Sequence, residues 1–173
     1  LLGDIIEAEF HFDRYKPALS TKQHKETAIP GSGLLHDLGP HLIDQALYLF
    51  GLPGYVSGIL RTVRPCSIVN DYFDITLLYD TFSVRLKSSL LVKEILPAYI
   101  LHGTKGSFTK ERADVQEDNL KIGLKPGSAT WGIEPETACG FLNLESTGKT
   151  GIASLPGNYM EFYDELHNAL KNG

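Results

Sequence analysis

Apolar and polar residues alternate from Ile5 to Phe12, with Ile6, Ala8, Phe10 and Phe12 set against Glu7, Glu9 and His11. A period of two sends successive side chains to opposite faces of a strand, so this stretch predicts a strand with one face buried. From Asp13 to Pro30 the pattern dissolves into Lys, Thr, Gln and His, bracketed by Pro17 and Pro30. It reads as a long loop, and loops of that length in compact domains are commonly functional or mobile. The period then becomes helical. Leu38, Leu42, Ala46, Leu49 and Phe50 fall on one face and predict a helix from about Asp37 to Phe50. Pro40 is expected in the first turn, where its missing amide donor costs nothing, which puts the start of the helix close to it. Gly51, able to take a left-handed conformation, and Pro53 just beyond it supply the stop.

After this helix the period returns to two. Tyr55 to Val63, Tyr72 to Tyr79, Phe82 to Leu91 and Tyr99 to His102 are rich in β-branched and aromatic residues. Tyr79-Asp80-Thr81 has the length of a tight antiparallel connection, and Gly103 to Gly106 reads as a second hairpin turn leading into Ser107 to Lys110. Glu111 to Gly151 is polar, Gly-rich and weakly periodic, and predicts irregular structure with short strand pieces. Asn158 to Leu170 closes the chain as a helix with Tyr159, Phe162, Tyr163, Leu166 and Leu170 on one side. Strands in succession, flanked by helices that do not alternate with them, predict an α+β fold: a mostly antiparallel sheet with helices on one face. The other face would be solvated or packed against a second copy of itself.

Composition narrows the classes. A length of 173 residues suits one domain, and a formal charge of −5, spread without blocks, shows none of the basic stripe expected of a nucleic-acid binder. No apolar run approaches the roughly 20 residues that span a bilayer. Cys66 and Cys139 sit in no CxxC or CxxH context, which predicts two reduced structural thiols in a cytoplasmic protein and neither a disulfide framework nor a thiolate zinc site. The opening residues Leu1 to Glu7 lack an initiator Met and a signal-peptide pattern, and read as a chain entered partway through.

Candidate chemistry lies in the segment from Gly31 to Asp44. Asp37, His41 and Asp44 recur at helical spacing, so on a helix they share one stripe beside the apolar face. A carboxylate held against an imidazole is a general-base arrangement. The bland alternative is that His41 packs and Asp37 satisfies the helix N-terminus. A metal site of His36, Asp37, His41 and Asp44 is disfavoured, because adjacent His36 and Asp37 diverge on a helix and no HExxH pattern is present. Gly31-Ser32-Gly33 fails as a dinucleotide fingerprint: His36 replaces the third Gly, and Thr27 to Pro30 is a poor preceding strand.

The run from Gly31 to Pro53, with its Gly-rich entry and DxGxHxxD pattern, strongly resembles the start of the C-terminal domain in the glucose-fructose oxidoreductase / inositol dehydrogenase / rhizopine catabolism (Gfo/Idh/MocA) family. Further stretches resemble it in order: Phe12 to Tyr15, Asp71 to Asp74, His102 to Phe108, Gln116-Glu117 and Pro156 to Tyr159. Within the family, the branch with NADP-linked scyllo-inositol dehydrogenases is the most similar. The resemblance implies that residues 1–173 form the substrate-binding and dimerisation domain of an NAD(P)-dependent oxidoreductase acting on a sugar, inositol or polyol. The Rossmann domain that binds NADP or NAD would then lie outside this chain, leaving the isolated domain inactive.

By the same resemblance, Asp37 and His41 match two members of the family's catalytic set, whose Lys belongs to the Rossmann domain. His41 would take and return the hydroxyl proton of the substrate during hydride transfer, with Asp37 orienting the imidazole. Asp44 would steady the helix or touch substrate, and the loop from Tyr15 to Thr27, with Tyr15, His24 and Lys25, would wall the pocket. His24-Lys25-Glu26 departs from the Trp-Arg pair common among relatives, which leaves the substrate open. The resemblance implies a homodimer through the open sheet face, no metal, and neither nucleic acid nor membrane as partner. The alternative is a dimerisation or ligand-sensing module that kept the fold without the chemistry.

Overall fold

The computed structural model describes residues 1–172, apart from the side chain of Gln23. Eight strands form one mixed sheet: β1 (Ile5–His11), β2 (Tyr55–Arg61), β3 (Tyr72–Leu78), β4 (Ser83–Ser89), β5 (Tyr99–Gly103), β6 (Gly106–Lys110), β7 (Gly140–Leu144) and β8 (Gly148–Ile152). Their order is β2-β3-β4-β1-β5-β6-β7-β8. The runs β2-β3-β4 and β5-β6-β7-β8 are antiparallel meanders, and β1 joins them, parallel to β4 and antiparallel to β5. Both expected hairpins form: Tyr79 N–H donates to the Phe82 carbonyl at 3.0 Å, and Gly103 faces Gly106 across the second turn.

Four helices accompany the sheet: α1 (Gln23–Glu26), α2 (Leu34–Phe50), α3 (Gln116–Lys121) and α4 (Tyr159–Asn172). The α+β reading holds. The stripe Leu34, Leu38, Leu42 and Ala46 on α2 packs onto Ala8 and Phe10 of β1, Phe73, Ile75 and Leu77 of β3, and Val84 and Leu86 of β4. Leu42, Phe10, Phe73, Val84 and Leu86 are fully buried. Each such side chain contributes about 1.5–3 kcal/mol relative to exposure, so this interface dominates the stability of the fold.

The start of α2 departs from expectation. The helix begins at Leu34, and Pro40 lies inside it. The reason is a cap supplied from far along the chain: the carbonyl and the side-chain Oδ1 of Asn70 accept from the amides of Leu34 at 2.7 Å and Leu35 at 2.9 Å. These bonds satisfy first-turn donors that local sequence leaves orphaned. The helix is thus held from before Pro40, and the carbonyl of His36 forgoes the bond Pro40 cannot give. Gly33 permits the approach: its φ is +91°, and a Cβ there would lie 2.4 Å from the Asn70 side chain. At the other end Gly51 N–H closes on the Leu47 carbonyl at 2.8 Å, as its sequence position predicts.

The opposite sheet face carries charge along its middle. Arg85 forks onto Asp74 at 2.9 and 2.6 Å, and Arg85 and His11 both approach Glu9. At the β2 edge the same face is apolar and exposed at Tyr55, Ile59 and Leu78. The region 111–151 holds α3, a short 3-10 turn at Glu136–Ala138 and the strands β7 and β8, so it is more regular than its weak periodicity suggests. No residue of α4 is buried, and its apolar side (Phe162, Tyr163, Leu166, Leu170) faces outward. No described helix is long and apolar enough to cross a membrane. Both cysteines are free.

Candidate functional site

A cavity of about 560 Å³ opens between the 13–30 loop, the N-terminal turns of α2 and the 62–71 connection between β2 and β3. Lys25 and His24 line it from α1, His36 and Asp37 from α2, and Arg64 and Asn70 from the connection. Each wall has an identifiable support. The loop is tied to the sheet by backbone bonds from the Arg14 and Lys16 amides to the carbonyls of Ser89 and Leu90. The α2 wall is held by Asn70.

Two ion-pair systems meet in this cavity. At the mouth, Lys25 Nζ donates to both Asp37 oxygens at 2.7 Å, with both side chains about a third exposed. Beneath it, Arg64 Nε donates to Asp71 Oδ2 at 2.9 Å, one terminal nitrogen reaches the Ala18 carbonyl at 3.1 Å, and the other reaches both Glu26 oxygens at 3.2 and 2.9 Å. Asp71 accepts at both oxygens, taking the amides of Val63 and Arg64 as well. Burial alone would lower the Arg64 pKa, but the hydrogen bonds to Asp71 and Glu26 outweigh it and raise the pKa above its ordinary value. The guanidinium is permanently charged.

Asp37, His41 and Asp44 share the expected stripe of α2, but they do not form one hydrogen-bonded unit. Asp37 accepts a charge-assisted bond from Lys25 at each of its oxygens. The brace from Asp37 to His41 is not made. Among the described residues the His41 ring has no hydrogen bond; it is exposed and lies 6.4 Å from the ring of Phe12. Arg14 and Arg112 lie over the same Phe12 ring at 4.8 and 4.1 Å, so two guanidinium groups flank that neighbour. Asp44 is exposed to solvent. His24 and Lys25 line the cavity, whereas Tyr15, His41 and Asp44 lie outside its lining. Tyr15 instead bridges to Leu91, with Lys93 over its ring at 5.8 Å.

Sequence reasoning missed Arg64 and Asn70. Neither sits in a motif, and the groups they hold on α2 and on the loop lie 35 to 46 residues away. The only local hint was an Arg beside a turn, which is ordinary on a surface. No group of three or more His, Cys, Asp or Glu side chains able to hold a metal ion occurs among the described residues.

Against known proteins, residues 1–109 match the model of the GFO/IDH/MocA C-terminal domain, and the chain belongs to that family of oxidoreductases. Oxidoreductase YdgJ of Escherichia coli is 35% identical over 175 residues, which cover 98% of this chain and 49% of that protein. The scyllo-inositol 2-dehydrogenase (NADP(+)) IolW of Bacillus subtilis is 32% identical over 175 residues, covering 99% of this chain and 49% of that protein. A crystal structure of an oxidoreductase from Klebsiella pneumoniae superposes with a TM-score of 0.86 at 39% identity, covering 99% of this chain and 47% of that one. The chain thus spans about half the length of the relatives it matches.

The family implies a nicotinamide dinucleotide, and the Gly-rich entry to α2 does not fit its phosphates. A phosphate site at a helix N-terminus needs free amides. Those of Leu34 and Leu35, after the Gly31-Ser32-Gly33 entry, are already bonded to Asn70.

Proposed function

We propose that this chain is the substrate-binding half of an NAD(P)-dependent oxidoreductase that acts on a secondary alcohol of a sugar, inositol or related polyol. The observation that carries the reading is the family match, with Asp37 and His41 at the DxGxH positions on one stripe of α2 and Asp37 lining the cavity. The similarity to IolW supports an inositol-like substrate and NADP over NAD. In this reading the other half of the longer protein would hold the dinucleotide, which would supply the hydride chemistry. His41, its ring exposed and free of internal hydrogen bonds, takes the hydroxyl proton during oxidation. Asp37 and Lys25 form a neutral pair that engages neighbouring hydroxyls, since a carboxylate accepts and an ammonium donates. His24 lies on the same wall. Asp44 borders the part of the cleft that the other half completes, and so does Tyr15 on the loop.

Without that half, the isolated chain is expected to be inactive in a cytoplasmic, metal-free reaction. The open sheet face, charged in the middle and apolar at the β2 edge, fits a homodimer contact. One observation favours a second reading: with Asp37 engaged by Lys25, His41 lacks its brace, which suits a ligand-sensing or dimerisation module without chemistry.

The two readings separate in the full-length protein. Replacing His41 by Ala is expected to lower turnover of scyllo-inositol with NADP by roughly 10²–10⁴-fold while NADP binding, followed by calorimetry, stays intact. An unchanged rate rules out His41 as the base, and a parent protein that binds NADP but turns over no polyol selects the module.

A further inference from the structure

The loop that walls the cavity carries Pro17, Lys22 and many polar residues, and most of its side chains are exposed. Its hydrophobic anchorage is thin. Leu19, its one large aliphatic residue before Ile29, is 40% exposed. Yet Lys25 is held at a defined place, bonded to both oxygens of Asp37. Something must supply the rigidity that apolar packing does not.

That support converges on one side chain. Arg64 is only 5% exposed, lies in the connection between β2 and β3, and is fastened to the sheet by Asp71, itself fully buried at the start of β3. Its two terminal nitrogens leave the sheet and grip the loop at two separated points, the Ala18 carbonyl and the Glu26 carboxylate. Glu26 in turn accepts the amide of Ser20 at 2.7 Å, which cross-links the loop to itself. Glu26 and Lys25 are adjacent in α1, so the grip on Glu26 sets where the Lys25 backbone sits. The same connection carries Asn70, which caps α2 and thereby places Asp37. Both halves of the Lys25–Asp37 pair are thus hung from the single segment 62–71. A planar guanidinium is well suited to such a junction, because its donors leave in fixed directions and acceptors on two elements are held in register with one another.

We propose that Arg64 is the positioning residue of the cavity: anchored on Asp71, it holds Ala18 and Glu26 and so presents Lys25 to Asp37 and to the substrate. Arg64 acts through the loop and touches no reacting atom. The assignment rests on the reading that this cavity takes a polyol, but its first test does not.

The test uses the full-length protein with Glu26→Gln, which removes the charge from the loop side of the grip and leaves the Arg64–Asp71 pair in place. Hydrogen exchange of segment 16–26 is expected to speed up at least tenfold, and tryptic cleavage after Lys22 and Lys25 with it, while the amides of β3 and β4 keep the parent's protection. With scyllo-inositol and NADP, KM is expected to rise about tenfold with kcat within about threefold of the parent. Arg64→Lys keeps a cation beside Asp71 but lacks the fork that reaches both Ala18 and Glu26, and is expected to change both readouts at least as much as Glu26→Gln. Parent-like exchange of 16–26 in Glu26→Gln overturns the proposal whatever the kinetics show. A loosened loop with unchanged KM also overturns it, leaving Arg64 a purely structural group. A loosened loop in a protein whose parent oxidises no polyol refutes the functional reading, and the positioning role with it, while the brace itself stands.

Discussion

The two ion-pair systems of the cavity draw on adjacent residues of the loop, yet physics treats them oppositely. Lys25 and Asp37 are 35% and 37% exposed at the mouth, whereas Arg64 and Asp71 are 3% and 1% exposed beneath. Water screens the first pair and contributes almost as much to each ion separately, so it adds at most about 1 kcal/mol to stability. The second pair gave up its hydration on folding, and each partner depends on the other to offset that cost. The exposed pair is therefore free to exchange its contacts for those of a ligand, and the buried one is committed to holding shape.

The sharpest way to break this contrast is Asp71→Ala, which strands the Arg64 guanidinium without its anchor. It is expected to lower stability by about 3–5 kcal/mol, read from the denaturant midpoint of the protein. A loss below about 1 kcal/mol would show that water reaches the guanidinium. Elsewhere in the sheet, His11 is buried against Asp13 at 3.3 Å and Glu9 at 2.9 Å. The hydrogen bond to Asp13 chiefly, aided by Glu9 and opposed by burial, raises its pKa above the ordinary 6.5. The folded protein then holds a proton more tightly than the unfolded chain. This contribution is complete below about pH 6.5 and is lost as pH rises through the raised value. The denaturation midpoint should fall across that interval, by less than in Asp71→Ala, and His11→Gln should flatten this part of the profile. The smallest change is expected from Lys25→Ala, less than about 1 kcal/mol by the same measurement. A larger loss would move Lys25 from the class of available groups to that of committed ones.

What could be read in the chain follows from where the determining partners lie. The α2 stripe, the two hairpins and the strand faces were legible because period and turn residues act over a few positions. The start of α2 was not, because Asn70 reaches it across 35 residues and overrides the boundary that Pro40 suggests. Short strand pieces were expected between Glu111 and Gly151, but the bounds of β7 and β8 were not legible because β8 exposes every residue, which erases the alternation that marks a half-buried strand. At the site, the shared stripe of Asp37, His41 and Asp44 was legible from spacing alone. The partner of Asp37 was not: Lys25 reaches it only because Arg64, 38 residues from Glu26, fixes the loop.

The position of β1 has a consequence for how the chain acquires its shape. This strand takes the central slot, between β4 and β5, and every hydrogen bond joining the two meanders passes through it. Neither meander can close on the other until β1 pairs with β4, where Glu7 meets Ser83 76 residues further along, a long-range closure of the kind that slows folding. Cutting away that opening segment would leave two unconnected ribbons, which makes it the keystone of the sheet.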